Sequence, residues 1–501
     1  MKRMIPEQMD LSRELPVVIG NVDYEEFAWR LGEIDRLLRE SGLENDFVEQ
    51  ALVRWEEEGR ERAEQEGRQY REPGAKSLGR MQGIFREGLR CNIARLLTEK
   101  EYRSFSMRLA DSTLLQWFCG IRRFEAIRVP GKSTLERYDK MALEEDVRAL
   151  VNRLNNLAMN GQVGLETGLD LEAYFSDATC VKAAIHFPVD WVLLRDGVRT
   201  LVKAILVIRR HGLKHRMPEP ETFLRQINGL CISMSQSRRR ADSKKKRKAV
   251  LRQMKRLNRI VMTHARQYRE KLSAGWKERT DLKEGEVVQI LRRIDGVLER
   301  LPFGIKQAHE RIIGERQVAN TDKILSLYEQ DIHVIVRGKA DAEIEFGNTL
   351  WLGEQSEGLI VDWKLLKDKS PGDTKLFRSS MDRIQEVFGC YPNSAAGDRG
   401  LWSKDNQGWL ESEGVFSALC PRGVDELRKR LKDKRFVELQ KRRGQTEGRI
   451  GIMKNDFLGR PLRSKGFEHR ELAVAWAVLG HNLWLLAGLR WAEEKEKKKA
   501  A

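Results

Sequence analysis

The sequence lacks the features that staple, secrete or anchor a chain. Its six cysteines (Cys91, Cys119, Cys180, Cys231, Cys390 and Cys420) stand apart with no Cys-x-x-Cys pair. A disulfide framework is therefore not expected, and a reducing compartment is. The eight histidines are dispersed too; His211 and His215 are four apart, but no cysteine or carboxylate signature accompanies them, which argues against zinc. The opening MKRMIPEQMDLSRELP has two basic residues and no apolar stretch behind them, so it does not read as a signal peptide. One run, Leu472–Trp491, is long enough to span a bilayer. His481, Asn482 and Arg490 interrupt it and His469, Arg470 and Glu471 abut it. Such groups are costly in hydrocarbon, and a buried packing helix with no membrane partner is expected.

Acid is in short supply against base. Ninety-two Lys and Arg against 75 Asp and Glu give a formal charge of +17, a field that favours a polyanion and puts nucleic acid first among partners. With 41% apolar and 33% charged residues over 501 positions, the chain is neither disordered nor a multi-span membrane protein. It is long enough for two or three packed units.

From Asp23 to about Arg71, Phe27, Leu31, Ile34 and Leu38 recur at helical spacing. After the Pro73-Gly74 break a second helical region runs to Phe118, so residues 1–165 read as an all-α region. Within it, ADSTLLQWFCGI is followed by VPGKSTLERYDKMA, where Ser133 and Glu136 have the spacing of a capping box. The pair reads as a helix-turn-helix that would turn Lys132, Arg137 and Lys140 toward DNA, or equally as an ordinary helical corner. Asp170–Ala184 is strand-like. Helical patterns return over 191–320, including Arg238–Arg259, where 12 of 22 residues are Lys or Arg and one is acidic. That excess, with Arg238, Lys245 and Arg247 in it, points to phosphate contacts beyond what a solvated helix face needs. Strand runs resume over Lys323–Asp368 and then alternate with helices. The whole reads as an α/β protein, a mixed sheet in 166–190 and 321–492 interrupted by a basic helical insertion over 191–320, with a charged tail at 493–501.

Asp177 ends AYFSD, Asp398 opens the turn DRG after a short strand, and Glu447 lies in a basic helical segment. Carboxylates converging from strand ends and a helix repel one another unless cations lie between them, and the expected cation is Mg²⁺. Two such ions would serve an in-line phosphodiester displacement. Spacing alone leaves this trio one choice among many, since the chain has 75 acids. Cys180 has no histidine and carboxylate beside it and reads as packing. Trp402 reads as core or as a platform for an unpaired base.

Three blocks go further. SDATCVKAAIHFPVDWVLLRDGVRTL around Asp177, AGDRGLWSKDN around Asp398, and the spacing Arg443-(3)-Glu447-(6)-Lys454 resemble those of the Asp-Asp-Glu transposases of bacterial insertion sequences, whose catalytic domain is ribonuclease-H-like. ADSTLLQWFCGI and VPGKSTLERY resemble the helical domain that precedes that core, and EHRELAVAWAVLGHNLWLLAGL its closing helix. The likeness covers about Leu109–Leu489. It departs at position 440, where the family often has Tyr and this chain has Gln.

The resemblance implies that Asp177, Asp398 and Glu447 are catalytic and hold two Mg²⁺, with Mn²⁺ able to substitute and no small-molecule cofactor. It also implies that Arg443 and Lys454 grip phosphates beside the scissile bond, with Thr179 and Arg399 adjoining the aspartates in support. The implied activity is binding of terminal inverted repeats, hydrolysis at the element ends and joining to target DNA, by a homodimer or larger synaptic assembly in a bacterial cytoplasm, on the nucleoid. A structure-selective nuclease without strand transfer and a non-enzymatic DNA-binding protein descended from a transposase are the alternatives.

Overall fold

The structure, a computed structural model, describes residues 18–121, 126–237, 242–339 and 342–500. The chain opens with α1 (Val22–Glu40), α2 (Leu43–Gln65), α3 (Ala75–Leu97), α4 (Tyr102–Asp111), α5 (Thr113–Phe118), α6 (Lys132–Asp139) and α7 (Glu144–Met159). Asn21 starts α1 by accepting the Tyr24 N–H at 2.9 Å, and the expected stripe is the buried one, with Leu31, Ile34 and Leu38 inside and Phe27 against Trp484. The capping box at Ser133 does not form. Gly131 starts α6 one residue ahead of Lys132, its carbonyl takes the Thr134 and Leu135 N–H groups, and Glu136 pairs with Lys132 at 3.1 Å. Because Ser133 is already inside the helix, its hydroxyl has no cap to make.

A mixed sheet follows, of β1 (Tyr174–Lys182), β2 (His333–Lys339), β3 (Ala342–Gln355), β4 (Ile360–Leu365), β5 (Ser394–Gly397) and β6 (Phe416–Leu419). β3 is long. Its first half pairs with β2 and its second half with β1 and β4, all antiparallel, while β5 and β6 extend the sheet parallel to β1. The chain is thus α/β, mostly helical around one six-stranded sheet among the described residues. Helices α12 (Asp373–Phe388), α13 (Lys404–Ser412), α14 (Val424–Arg430), α15 (Lys434–Arg442) and α16 (Gly444–Ile452) alternate with or follow the last strands.

Between β1 and β2 stand α8 (Asp190–Arg210), α9 (Pro220–Gln236), α10 (Ser243–Arg279) and α11 (Glu284–Ala308), the last running into a π-helical turn, His309–Ile313. They bury their own apolar core, centred on Leu194, Leu201, Ile205, Leu251, Val261 and Leu301. The insertion is closed at its base. Asp190, buried at the head of α8, accepts from Gln307 at 2.8 Å and from Arg311 at 2.9 and 3.0 Å, both from the far end of the insertion.

The helical N-terminal region does not have a core apart from the sheet. One continuous cluster joins Leu31, Phe47 and Val151 to Trp351, Trp363 and Trp476, so among the described residues there are two large cores. The joint is α17 (Phe467–Ala500), the helix that is long and apolar enough to cross a membrane. It is buried in protein instead. Its interrupting polar groups are partnered: Arg470, fully buried, donates to Glu329 at 2.5 Å and Asn348 at 3.0 Å. Asn482 donates to Asn155 at 2.9 Å and the Ile360 carbonyl at 2.8 Å, and accepts the Ile360 N–H at 3.1 Å. The charged run 493–501 is not a separate tail, because α17 continues through it to Ala500, with Lys497 paired to Glu166 at 3.0 Å.

Candidate active site

Strand β1 alternates. Tyr174, Ser176 and Ala178 face one way; Phe175, Asp177 and Thr179 face the other. The first face is locked from behind, where the Tyr174 hydroxyl lies 2.6 Å from the Ser380 hydroxyl and Ser380 and Arg383 of α12 both bond Asp362 of β4. Gly353 on β3 permits this, because a side chain there would begin 1.9 Å from the Tyr174 hydroxyl.

The second face carries Asp177. β1 and β5 are parallel with Tyr174 opposite Ala395 and Phe175 opposite Ala396. The pairing ends there: Asp177 lies further along β1, and Asp398 follows directly after the last residue of β5. Alternation puts Asp177 on the face of Phe175, which packs with Ala396 of β5 and with Phe436 and Leu439 of α15. The Asp398 carboxylate accepts the N–H groups of Gly400 at 2.8 Å and Leu401 at 3.3 Å, and Asp177 accepts that of Ala178 at 2.7 Å. Backbone donors thus hold both carboxylates in fixed directions.

Across this face runs α15, then α16 and a π-helical turn, Met453–Leu458. Three contacts pin it. Gln440 donates to the carbonyls of Gly397, at 3.0 Å, and Ala418; Arg449 donates to Glu354 at 2.9 Å, the β3 residue opposite Phe175; and the Lys454 ammonium donates to the Thr179 hydroxyl at 2.5 Å. Glu447 lies between these anchors, exposed and paired with Arg443 at 3.3 Å. The structure therefore places Asp177 on β1 and Asp398 just past the end of the neighbouring strand β5, with the helix of Glu447 packed on β1, while the Glu447 carboxylate itself meets Arg443. Among the described residues no group of three or more His, Cys, Asp and Glu is set to hold a metal.

Several residues here had no signal in the motifs. Asp373, first residue of α12, brings a carboxylate oxygen to 3.0 Å from the point where a Gly400 side chain would begin, and Asp398 brings one to the same distance. Gly400 thus leaves room for two carboxylates, and the Pro371-Gly372-Asp373 helix start was its only trace. Gln440 ties α15 to the ends of β5 and β6. Arg449 reaches on to His481 of α17, donating to Nε2 at 2.8 Å; the His481 proton therefore sits on Nδ1, 2.9 Å from the Asn482 carbonyl oxygen. Burial first, and then the Arg449 charge, hold His481 neutral with its pKa pushed down to about 3.

The other expected site residues are spread. Thr179 is buried and takes the Lys454 ammonium. Arg399 is exposed, and its carbonyl receives Arg422 at 3.1 Å. Lys132, Arg137 and Lys140 lie exposed on or beside α6, which packs on α3 and α4, and Arg137 folds back to the Ser133 carbonyl at 3.4 Å. Lys245 is exposed on α10, the Arg247 guanidinium lies 5.4 Å over the Trp191 ring, and Arg238 lies outside the described residues. Cys180 is buried, and Trp402 packs half-buried against the main core. Comparison of the chain with models of known families, with curated proteins and with solved structures returned no match.

Proposed function

We propose that this chain is a DNA transposase of the Asp-Asp-Glu kind, with a ribonuclease-H-like catalytic sheet, acting on the inverted-repeat ends of its own element and on target DNA. The observation that carries the reading is the placing of Asp177 and Asp398 on, and just after, two parallel neighbouring strands, beside a helix that brings Arg443, Glu447 and Lys454 in a single run. Hard carboxylate oxygens held by backbone N–H groups suit Mg²⁺ or Mn²⁺. Glu447 is held by a solvent-exposed ion pair of about 1 kcal/mol or less, so it can exchange Arg443 for the ion at little cost. When bound, the divalent ions supply activation of the attacking oxygen and stabilisation of the leaving one.

The chain's own residues do the rest. Asp177 and Asp398 fix where the reacting phosphate lies, with Asp373 adding negative charge at the rim. Arg443, released from Glu447, is a bidentate donor for a phosphate beside the scissile bond. Lys454 on Thr179 sets a positive charge on the same face as Asp177. The α17–Arg449–Glu354 linkage holds α16 against the sheet. The working form is a homodimer or larger synaptic assembly, since two ends are handled together, in the cytoplasm on the nucleoid.

The test is labelled DNA from the repeats flanking the gene, incubated with the protein, Mg²⁺ and a target plasmid. Joined products are expected from the wild type and none from Asp177→Ala, Asp398→Ala or Glu447→Ala. Cutting without joining would make it a nuclease. Element-end binding and biological output untouched by all three substitutions would make it a non-enzymatic DNA binder.

A further inference from the structure

The basic stretch at the start of α10 is less available than its composition promises. Lys244 and Lys248 are both taken by Glu315, at 3.2 and 2.7 Å, and Arg247 is turned onto Trp191. Two turns further along the same helix the balance changes. There α10 and the end of α11 form an open groove of about 540 Å³ whose walls carry Lys255, Arg259 and Arg266 from one side and Lys306 and His309 from the other. No carboxylate lines it, and among the described residues none forms an ion pair with Lys255, Arg259, Arg266 or Lys306. The floor is apolar, with Met262, Pro302 and Ile305.

Cations crowded in this way repel one another and raise the energy of the empty groove. The cost is visible locally: burial, with the neighbouring Arg259 charge second, lowers the pKa of Lys255, whose ammonium donates to His309 Nδ1 at 3.0 Å. The geometry is held from outside the groove. The π-helical turn at His309 lets His309 face Lys255 while Arg311, two residues on, is anchored to Asp190.

The geometry points to this groove as a seat for the phosphodiester backbone of duplex DNA. From Lys255 to Arg266 the row of cations covers about 16 Å of helix at 1.5 Å per residue, long enough to meet several successive phosphates of one strand. A single phosphate would meet only one or two of them, so a polymer matches the row and a small anion does not. No base-reading side chain is implied, and the contact is independent of sequence. The inference rests on the reading of DNA as substrate and deepens it. It moves the insertion's DNA contact from Arg238–Arg247 to the middle of α10 and the end of α11.

The experiment uses the full chain and a fluorescent random-sequence duplex, with affinity followed by anisotropy across about 50–200 mM salt, where phosphate contacts dominate the change. Arg259→Gln, Arg266→Gln and Lys306→Gln together are expected to lower affinity at least tenfold at the low-salt end. They should also reduce the slope of log K on log salt by about 2.7, at about 0.9 for each phosphate that no longer meets a cation. Lys244→Gln with Lys248→Gln, already neutralised by Glu315, should leave the slope close to that of the wild type. All five side chains lie at the surface or in surface pairs, and an unchanged circular dichroism spectrum and melting temperature will show that the fold is kept.

An unaltered slope in the triple variant overturns the groove. Cleavage of element ends, measured in parallel, separates the two readings: a cleaving wild type with an unaltered slope removes the groove and leaves the transposase. The expected fall in slope in a chain that never cleaves supports the groove and removes the enzyme. A wild type that binds no duplex overturns both.

Discussion

The sheet face at Asp177 and the groove between α10 and α11 handle charge in opposite ways. On the sheet, Arg449 is tied to Glu354, Lys454 to Thr179, and Asp398 to two backbone N–H groups. In the groove, Arg259, Arg266 and Lys306 stand together with no carboxylate in the lining. Chemistry on a scissile bond needs atoms fixed within fractions of an ångström, and strand register with backbone donors provides that. Holding a polyanion needs only charge density along a line, and a helix with its cations in a row provides that at the expense of self-repulsion. The first region ties its charged groups to fixed partners, and the second leaves its cations without a carboxylate in the lining.

Asp398→Asn breaks the contrast on the positioning side. It keeps the shape and the contacts to Gly400 and Leu401 and removes the charge, so DNA cleavage should fall by at least about 10²–10³-fold, with melting temperature and duplex affinity unchanged. A drop in affinity equal to the drop in rate would mean that Asp398 serves binding and not chemistry.

Asn482→Leu should cost about 3–5 kcal/mol, seen as a lower urea midpoint. It strands the Ile360 N–H and the Asn155 side-chain oxygen inside the core, where the Ile360 carbonyl keeps the Asn155 amide as donor. A neutral result would place α17 outside the mechanical link between the helical region and the sheet.

Gly400→Ala sharpens the positioning claim. The new methyl meets oxygens of Asp373 and Asp398 at 3.0 Å, so one carboxylate must shift by a few tenths of an ångström. Cleavage should drop about tenfold, within the range known for small misplacements, while thermal stability stays within a few degrees. Equal losses in both would assign Gly400 to folding alone.

The smallest effect is with pH. His481 binds a proton in the unfolded chain below its ordinary value of 6.5, but in the folded protein only near 3. Between those values the unfolded state holds more protons, so stability falls as the medium is acidified from about pH 6.5 toward 3 and gains no slope from this residue above 6.5. His481→Gln should flatten that slope by up to one proton in the linkage. An unchanged slope would show that His481 titrates normally.

Much of this layout was legible in the sequence. The α1 stripe, the strand around Asp177, the helical insertion, and the polar groups that keep the Leu472–Trp491 run inside protein all follow from local pattern, because period and punctuation are local properties. The placing of Asp177 and Asp398, 221 residues apart in sequence, on and just after neighbouring strands is not local: it depends on how β5 docks against β1. Asp373 was invisible for the same reason, since its nearness to Asp398 comes from the packing of α12. Ser133 misled because a capping spacing carries no information about a glycine two residues earlier that starts the helix first. The basic run misled in degree, as charge counting cannot see that Glu315 returns to Lys244 and Lys248.

The clasp of Asp190 on Gln307 and Arg311 joins the two ends of the insertion at one point. A segment whose entrance and exit coincide is topologically a graft: it could be trimmed, swapped or fused to a reporter at its outer turns without changing the order in which the strands assemble. Changes within the insertion are thereby separated from the strands that flank it, β1 and β2.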